Sequence, residues 1–253
     1  MEISGTAFVT GSVYGGGENG HVLGNTSVTV SGGQIGCGDG ETGPYTSGWD
    51  GTSMKECASW PYTDNGATYD MYAGTPNYNS EGGSKEATDG HTFYGNVFGG
   101  GSGYTPYAAG KWMRSAGRVE GNTSVTINDG HILTNVYGGN EQTDVGNGLS
   151  LEAGKGKCTI TMTGGTVGVP RTHSERLAHP VTGNLFGAGK GDKRVLFNRW
   201  TNVGSTEVSV SGGTVYGSVF GGGEDGHVLG NAKTTISGTS TVIGTLGDRK
   251  SVV

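Results

Sequence analysis

The chain has 253 residues, 54 of them glycine, and a formal charge of −6. Glycine at about three times its usual share of ~7%, with Leu, Ile and Phe scarce beside Val and Thr, excludes a mainly helical fold; glycine that does not recur at every third position excludes collagen; and regular apolar alternation excludes simple disorder. The acidic balance argues against nucleic acid as a partner, and the shortness of every apolar run argues against a membrane span in this segment.

"ISGTAFVTGSVYG", from Ile3, leads into the glycine-rich phrase "GGGENGHVLGN" at 15–25, which returns at 221–231 as "GGGEDGHVLGN". Gly15, Gly17 and Gly20 fit G-x-G-x-x-G, yet no helical pattern follows either copy, so a dinucleotide loop is excluded by context. The glycines read instead as turn residues or sites of close backbone approach. "SVTV" at 27–30 then alternates apolar and hydroxyl side chains, the period of a half-buried strand.

Residues 37–95 form a large insertion with nine acids against two lysines, so the net acidity of the chain is local to it. It is also aromatic, with Trp49, Trp60 and five tyrosines. Cys37 and Cys57, both inside it, suit a disulfide; with Cys158 the set is odd and has no zinc spacing, so neither metal nor cofactor is expected.

Beyond the insertion the chain becomes a repeat. Five strand patterns align on Val28/Val30, Val125/Ile127, Ile160/Met162, Val208/Val210 and Thr234/Ile236. Each has a companion of an aliphatic, an aromatic and a glycine: "VYG" at 13–15, "VFG" at 97–99, "VYG" at 136–138, "LFG" at 185–187 and "VFG" at 219–221. Between aromatic and strand, three repeats carry extra residues, in the segments 99–121, 139–156 and 188–204, all counted to one corner. Those segments hold Lys111, Trp112, Arg114 and Arg118, then Lys155 and Lys157, then Lys190, Lys193, Arg194, Arg199 and Trp200. Insertions on consecutive repeats at one corner predict a continuous basic, aromatic surface.

An uninserted repeat of about 26 residues, too short to bury a face by itself, predicts stacking. The expected fold is all-β, a parallel β-solenoid (β-helix) of about five coils with loop insertions at two corners, forming a single segment over 1–253. Val28, Val125, Ile160, Val208 and Thr234 are expected on one inward ladder and the five aromatics on another. Asn25, Asn122 and Asn231, equivalent positions in "NTS" or "NAK", predict a ladder of amides satisfying one another rather than glycan acceptors. Thr29, Thr126, Thr161, Ser209 and Thr235 make an outward hydroxyl column, flanked by Ser31, Asn128, Thr163, Ser211 and Ser237; ice binding is the weaker reading of an ordinary soluble β-face.

The runs "VYGGG", "GNTSVTVSGG" and "SVFGGGEDGHVLGN" resemble the repeats of large Gly-rich, adhesin-like β-helical surface proteins of gut Bacteroidota. The resemblance covers the repeats and none of the inserted loops. It implies export, an extracellular or cell-surface location and a structural or adhesive role, and it assigns no catalytic residue.

The function expected is therefore that of an extracellular structural and binding scaffold whose loops recognise a glycan or a host or cell-surface ligand. Trp49, Trp60, Trp112 and Trp200 supply stacking surfaces, and Lys111, Arg114, Arg118, Lys193, Arg194 and Arg199 attract an acidic glycan. The alternative is a carbohydrate-active enzyme, a polysaccharide lyase or glycosidase, with His173 and His179 as its acid and base candidates. The matching phase of "ISGTAFVTGSVYGGG" and "ISGTSTVIGTLGDRK" adds an expectation of end-to-end stacking or of continuation into further repeats.

Overall fold

The computed structural model describes residues 1–9, 11–36, 95–103, 116–148, 150–170, 183–191 and 201–244, and the backbone of 246–247. Among these residues the protein is all-β with no helix, and every strand pairing is parallel. No helix is long and apolar enough to cross a membrane, which says nothing of a β-barrel.

Six long strands form the backbone of one sheet: β1 (Glu2–Val9), β3 (Thr26–Ile35), β5 (Thr123–Ile132), β7 (Lys157–Met162), β11 (Ser205–Val210) and β15 (Ala232–Ile236). They lie side by side in chain order. The last three are interrupted by a turn and resume as β8 (Thr166–Val167), β12 (Thr214–Val215) and β16 (Thr241–Val242). β5 is long enough to pair with both β7 and β8.

A second sheet collects the aromatic signatures: β2 (Val13–Tyr14), β4 (Val97–Phe98), β6 (Val136–Tyr137), β9 (Leu185–Phe186), β13 (Val219–Phe220) and β17 (Leu246–Gly247). The third wall is short. It consists of β10 (Asn202–Val203) on β14 (His227–Val228), and of single bridges from Val22 to Val119 and from Val119 to Val145.

The register is the one the spacing predicts. Val28 faces Val125, Val125 faces Ile160, Ile160 faces Val208, and Val208 faces Thr234. Val30, Ile127, Met162, Val210 and Ile236 make the next inward column, and nearly all of both columns is buried. Alternation at period two puts these side chains inside and Thr29, Thr126, Thr161, Ser209 and Thr235 outside. The aromatic rings stack in a third column, with centroids 4.8, 4.8, 5.2 and 5.3 Å apart from Tyr14 through Phe98, Tyr137 and Phe186 to Phe220. A repeat of about 4.8 Å is the spacing of neighbouring strands, so the rings follow the hydrogen-bonded backbone.

Close approach explains one glycine column. A Cβ on Gly15, Gly99 or Gly138 would lie 2.2 Å from the carbonyl oxygen of the next glycine in the series, and one on Gly187 would lie 2.3 Å from that of Gly221. The glycine after each aromatic is therefore a steric requirement repeated at every level, which is why the phrase survives in each repeat.

Three expectations change. The long sheet has six members, not five: "EISGTAFV" lacks the Ser-Val-Thr-Val signature, yet as β1 it pairs with β3 and sets Ile3 beside Val30. In the flanking outward column Ser31 pairs with Asp129, because a bulge follows Val30; Asn128 still reaches it, donating from Nδ2 to Ser31 Oγ at 3.3 Å and accepting from Thr163 Oγ1 at 3.1 Å.

The third change concerns the insertions. Segments 104–115 and 192–200 precede the short-wall residues Val119 and Val203, whereas 147–155 follows Val145. Counting from aromatic to strand measures the length of this connection but not the side of the single valine on which it grows. The extra residues of the middle repeat thus emerge at a different corner from the other two.

Candidate functional site

The corner from which 104–115 and 192–200 emerge is the candidate site, and its base is unusually polar. Asn140, Glu141, Gln142, Thr143 and Asp144, "NEQTD", are all buried. Buried polar groups require partners, and these have them. Asn140 Oδ1 accepts from Gly101 N at 2.9 Å, while its Nδ2 donates to Gly117 O, Thr143 Oγ1 and Asp144 O. Asp144 Oδ1 accepts from both Asn202 N and Asn202 Nδ2, each at 2.8 Å. Gln142 Nε2 donates to Gly191 O at 2.9 Å.

Glu141 is the hub. Its Oε2 accepts from Tyr14 OH at 2.7 Å and Ser102 Oγ at 3.0 Å, and its Oε1 lies 3.6 Å from Lys190 Nζ. The Lys190 side chain retains 17% exposure and that of Glu141 none. Glu141 thus ties together the first, second and fourth aromatic-to-strand connections. Tyr137 OH donates to Glu224 Oε2 and accepts from Asn135 Nδ2 at 3.2 Å. Burial pushes the Tyr137 phenol well above its ordinary range, and the Glu224 carboxylate pushes it the same way.

Two ladders of side-chain acceptors brace the flanks. Asn25 Oδ1 accepts from the backbone of Asn122 at 2.8 Å, and Asn122 Oδ1 from that of Lys157 at 2.9 Å. The expected amide-to-amide chain is corrected: parallel register sets each side-chain oxygen against the next backbone N–H, a donor that needs a partner in any case. The second ladder runs from Ser12 Oγ to Asn96 N, Asn96 Oδ1 to Asn135 N, Asn135 Oδ1 to Asn184 N and Asn184 Oδ1 to Ser218 N. Its signal, a Ser or Asn before each aromatic signature, is plain in the sequence once the columns are known.

Threonines cross-tie the sheets. Thr26 Oγ1 donates to Gly99 O at 2.6 Å, Thr123 Oγ1 to Gly138 O and Thr206 Oγ1 to Gly221 O. Cys158 occupies the matching place between Thr123 and Thr206. It is buried and free, and burial pushes its thiol up to about 12.

Of the residues expected to contact ligand, Arg118 is described. It is half-buried, and its Nε and Nη2 donate to Gly146 O at 3.0 and 2.7 Å. Trp49, Trp60, Lys111, Trp112, Arg114, Lys193, Arg194, Arg199 and Trp200 lie outside the described residues, as do His173, His179 and the Cys37 and Cys57 pair. Three other basic residues of the predicted surface are engaged in the frame: Lys155 with Glu152 at 2.8 Å, Lys157 with Glu207 at 2.6 Å, and Lys190 with Glu141.

The roots of the loops are conformationally set. Gly103 and Gly191 have φ of 63° and 73°, at the points where the two segments leave the frame. Thr201, where the second returns, has φ 63°, the only non-glycine with positive φ among the described residues. Its Oγ1 is buried without a hydrogen-bond partner. A β-branched residue in this region stores strain of order 1–3 kcal/mol, held by the surrounding packing.

His21 and His227 occupy equivalent positions in the two copies of the corner phrase; burial lowers the His227 pKa, against the opposing pull of Asp144 and Asp225. No cluster of three His, Cys, Asp or Glu side chains among the described residues could hold a metal ion. No protein-family model matches the chain, and no curated protein or solved structure does either.

Proposed function

We propose that the chain is an exported, adhesin-like parallel β-solenoid segment in which the stacked coils are scaffold and the loops at 104–115 and 192–200 form a recognition surface for acidic glycans at a cell or matrix surface. The observation that carries this reading is the rooting of those two loops. Both spring from one corner, two levels of the sheet apart, on either side of the buried Asn140–Asp144 network, so their bases are about 10 Å apart and rigidly held. Loops positioned by a rigid frame are where binding residues concentrate. The residues they carry, Lys111, Trp112 and Arg114 on one and Lys193, Arg194, Arg199 and Trp200 on the other, join ring faces for sugar stacking to cations for carboxylates or sulfates.

Binding to a panel of immobilised glycans, with a product assay on each hit, tests the reading. Replacing Arg114, Arg194 and Arg199 by Ser weakens binding chiefly at low ionic strength, because exposed charges act over a screening length of ~8–10 Å. Trp112→Ala or Trp200→Ala weakens it at every salt concentration by about 1 kcal/mol or more. Unaltered binding per folded molecule in both sets makes the loops packing elements and ends the proposal; turnover of a bound glycan replaces it with an enzymatic one.

A further inference from the structure

The two outermost members of the long sheet, β1 and β15, are edge strands among the described residues, and edges of parallel sheets present unpaired backbone donors and acceptors to any matching strand. Here the edges also match in their side chains. The column Val30, Ile127, Met162, Val210 begins with Ile3 and ends with Ile236; the column Ile35, Ile132, Val167, Val215 begins with Val9 and ends with Val242. Every interior member of both columns is fully buried, and the four terminal ones are only partly so. Each end therefore exposes what the other end lacks, a half-covered aliphatic side chain at the same place in the register.

The ladders are also polar in a consistent sense. Each side-chain oxygen of the asparagine ladder receives a backbone N–H from the following repeat. Asn25 N at the first level has no acceptor and Asn231 Oδ1 at the last has no donor among the described residues. A donor end and an acceptor end are complementary to each other and not to themselves, which selects head-to-tail over head-to-head contact.

We infer that the protein self-associates head to tail, β1 of one copy pairing in parallel with β15 of the next so that Ile3 covers Ile236, Val9 covers Val242 and Glu2 stands beside Thr235. β2 then adds to β17 in the second sheet. The short wall has no member at the level of β17, so the join leaves one level of open space at that corner. Because the contact is heterologous and its operation does not close, it builds open filaments rather than a dimer. The inference rests on the stacked-coil reading of the fold and is independent of glycan recognition by the loops.

Register-specific cross-linking tests it. Glu2 and Thr235 share one outward column but are separated within a chain by the four intervening strands, at ~4.8 Å per step, so a disulfide between them joins two copies. Neighbouring parallel positions fall within the 4.4–6.8 Å Cα separation a disulfide spans. In a Cys37→Ser, Cys57→Ser background, Glu2→Cys with Thr235→Cys is expected to give a ladder of covalent dimers, trimers and higher species on mild oxidation. The ladder should form about tenfold faster than with the misaligned pair Glu2→Cys and Lys233→Cys, and each single-cysteine variant should stop at dimers. Sedimentation of the parent chain should show mass rising with concentration. A parent that stays monomeric while folded, or cross-linking equally fast in the aligned and misaligned pairs, overturns the inference; failed glycan binding leaves it standing.

Discussion

Replacing Lys190 by Met removes the cation 3.6 Å from Glu141 Oε1 while keeping most of the side-chain volume. Glu141 is fully buried, and its other oxygen already accepts hydrogen bonds from Tyr14 and Ser102, so the carboxylate cannot turn toward water without breaking them. Removing one partner of a buried pair strands the other's charge, and such variants lose about 3–5 kcal/mol. For a chain of this size each kcal/mol moves the melting midpoint by about 2–4 °C, which gives a fall of roughly 6–20 °C. The neutral double variant Lys190→Met with Glu141→Gln keeps the hub's acceptor without its charge, and should regain most of the loss. Thermal melts by circular dichroism, with urea titrations for the free energies, complete the double-mutant cycle. A single variant costing under about 1 kcal/mol, or a double variant no more stable than Lys190→Met, would show that the pair does not hold the corner together.

Cys158→Thr supplies the hydroxyl missing from the Thr26, Thr123 and Thr206 series, and should donate to Gly187 O for about 1 kcal/mol of added stability, read as a higher urea midpoint. Gly138→Ala sets a methyl 2.2 Å from Gly187 O, backbone on both sides, so expression of soluble protein or a midpoint loss of at least about 1–3 kcal/mol reports the clash. Tyr137, whose folded pKa is raised, contributes stability that is complete below the free phenol's ~10 and is lost as pH rises toward the folded value. Alkaline titration should therefore show stability declining above about pH 10 in the parent, and a shallower decline in Tyr137→Phe.

The columns were legible because they depend on period and spacing alone. Val28 through Thr234 and Tyr14 through Phe220 stand at equal steps from a double glycine, and parallel pairing converts equal steps into contact. What escaped was whatever depends on tertiary cover. "NEQTD" at 140–144 is as polar as any surface loop, and nothing in its composition announces that it lies beneath one. Arg118 and Lys190, read as free cations, are drawn to Gly146 O and Glu141 by neighbours distant in the chain. β1 was hidden for the opposite reason: an edge strand covered on one side needs no complete alternating pattern, and "EISGTAFV" shows only Ile3 and the Phe8–Val9 pair turned toward apolar neighbours.

The junction between β3 and β4 has a kinetic meaning. Gly36 and Gly95 meet closely enough that a Cβ on Gly36 would lie 2.4 Å from the Gly95 Cα, although the 58 residues 37–94 separate them. The corresponding link from β5 to β6 needs only three residues, 133–135. Closing the longer connection costs about four doublings of loop length, some 2.5 kcal/mol of chain entropy, before any contact across it is gained. Folding should consequently start in the region from β5 to β15, where successive strands are nearest in sequence, with β1 to β3 annealing last onto a preformed template. Pulsed amide exchange would then show late protection at Val28 and Val30 although both are fully buried in the finished fold.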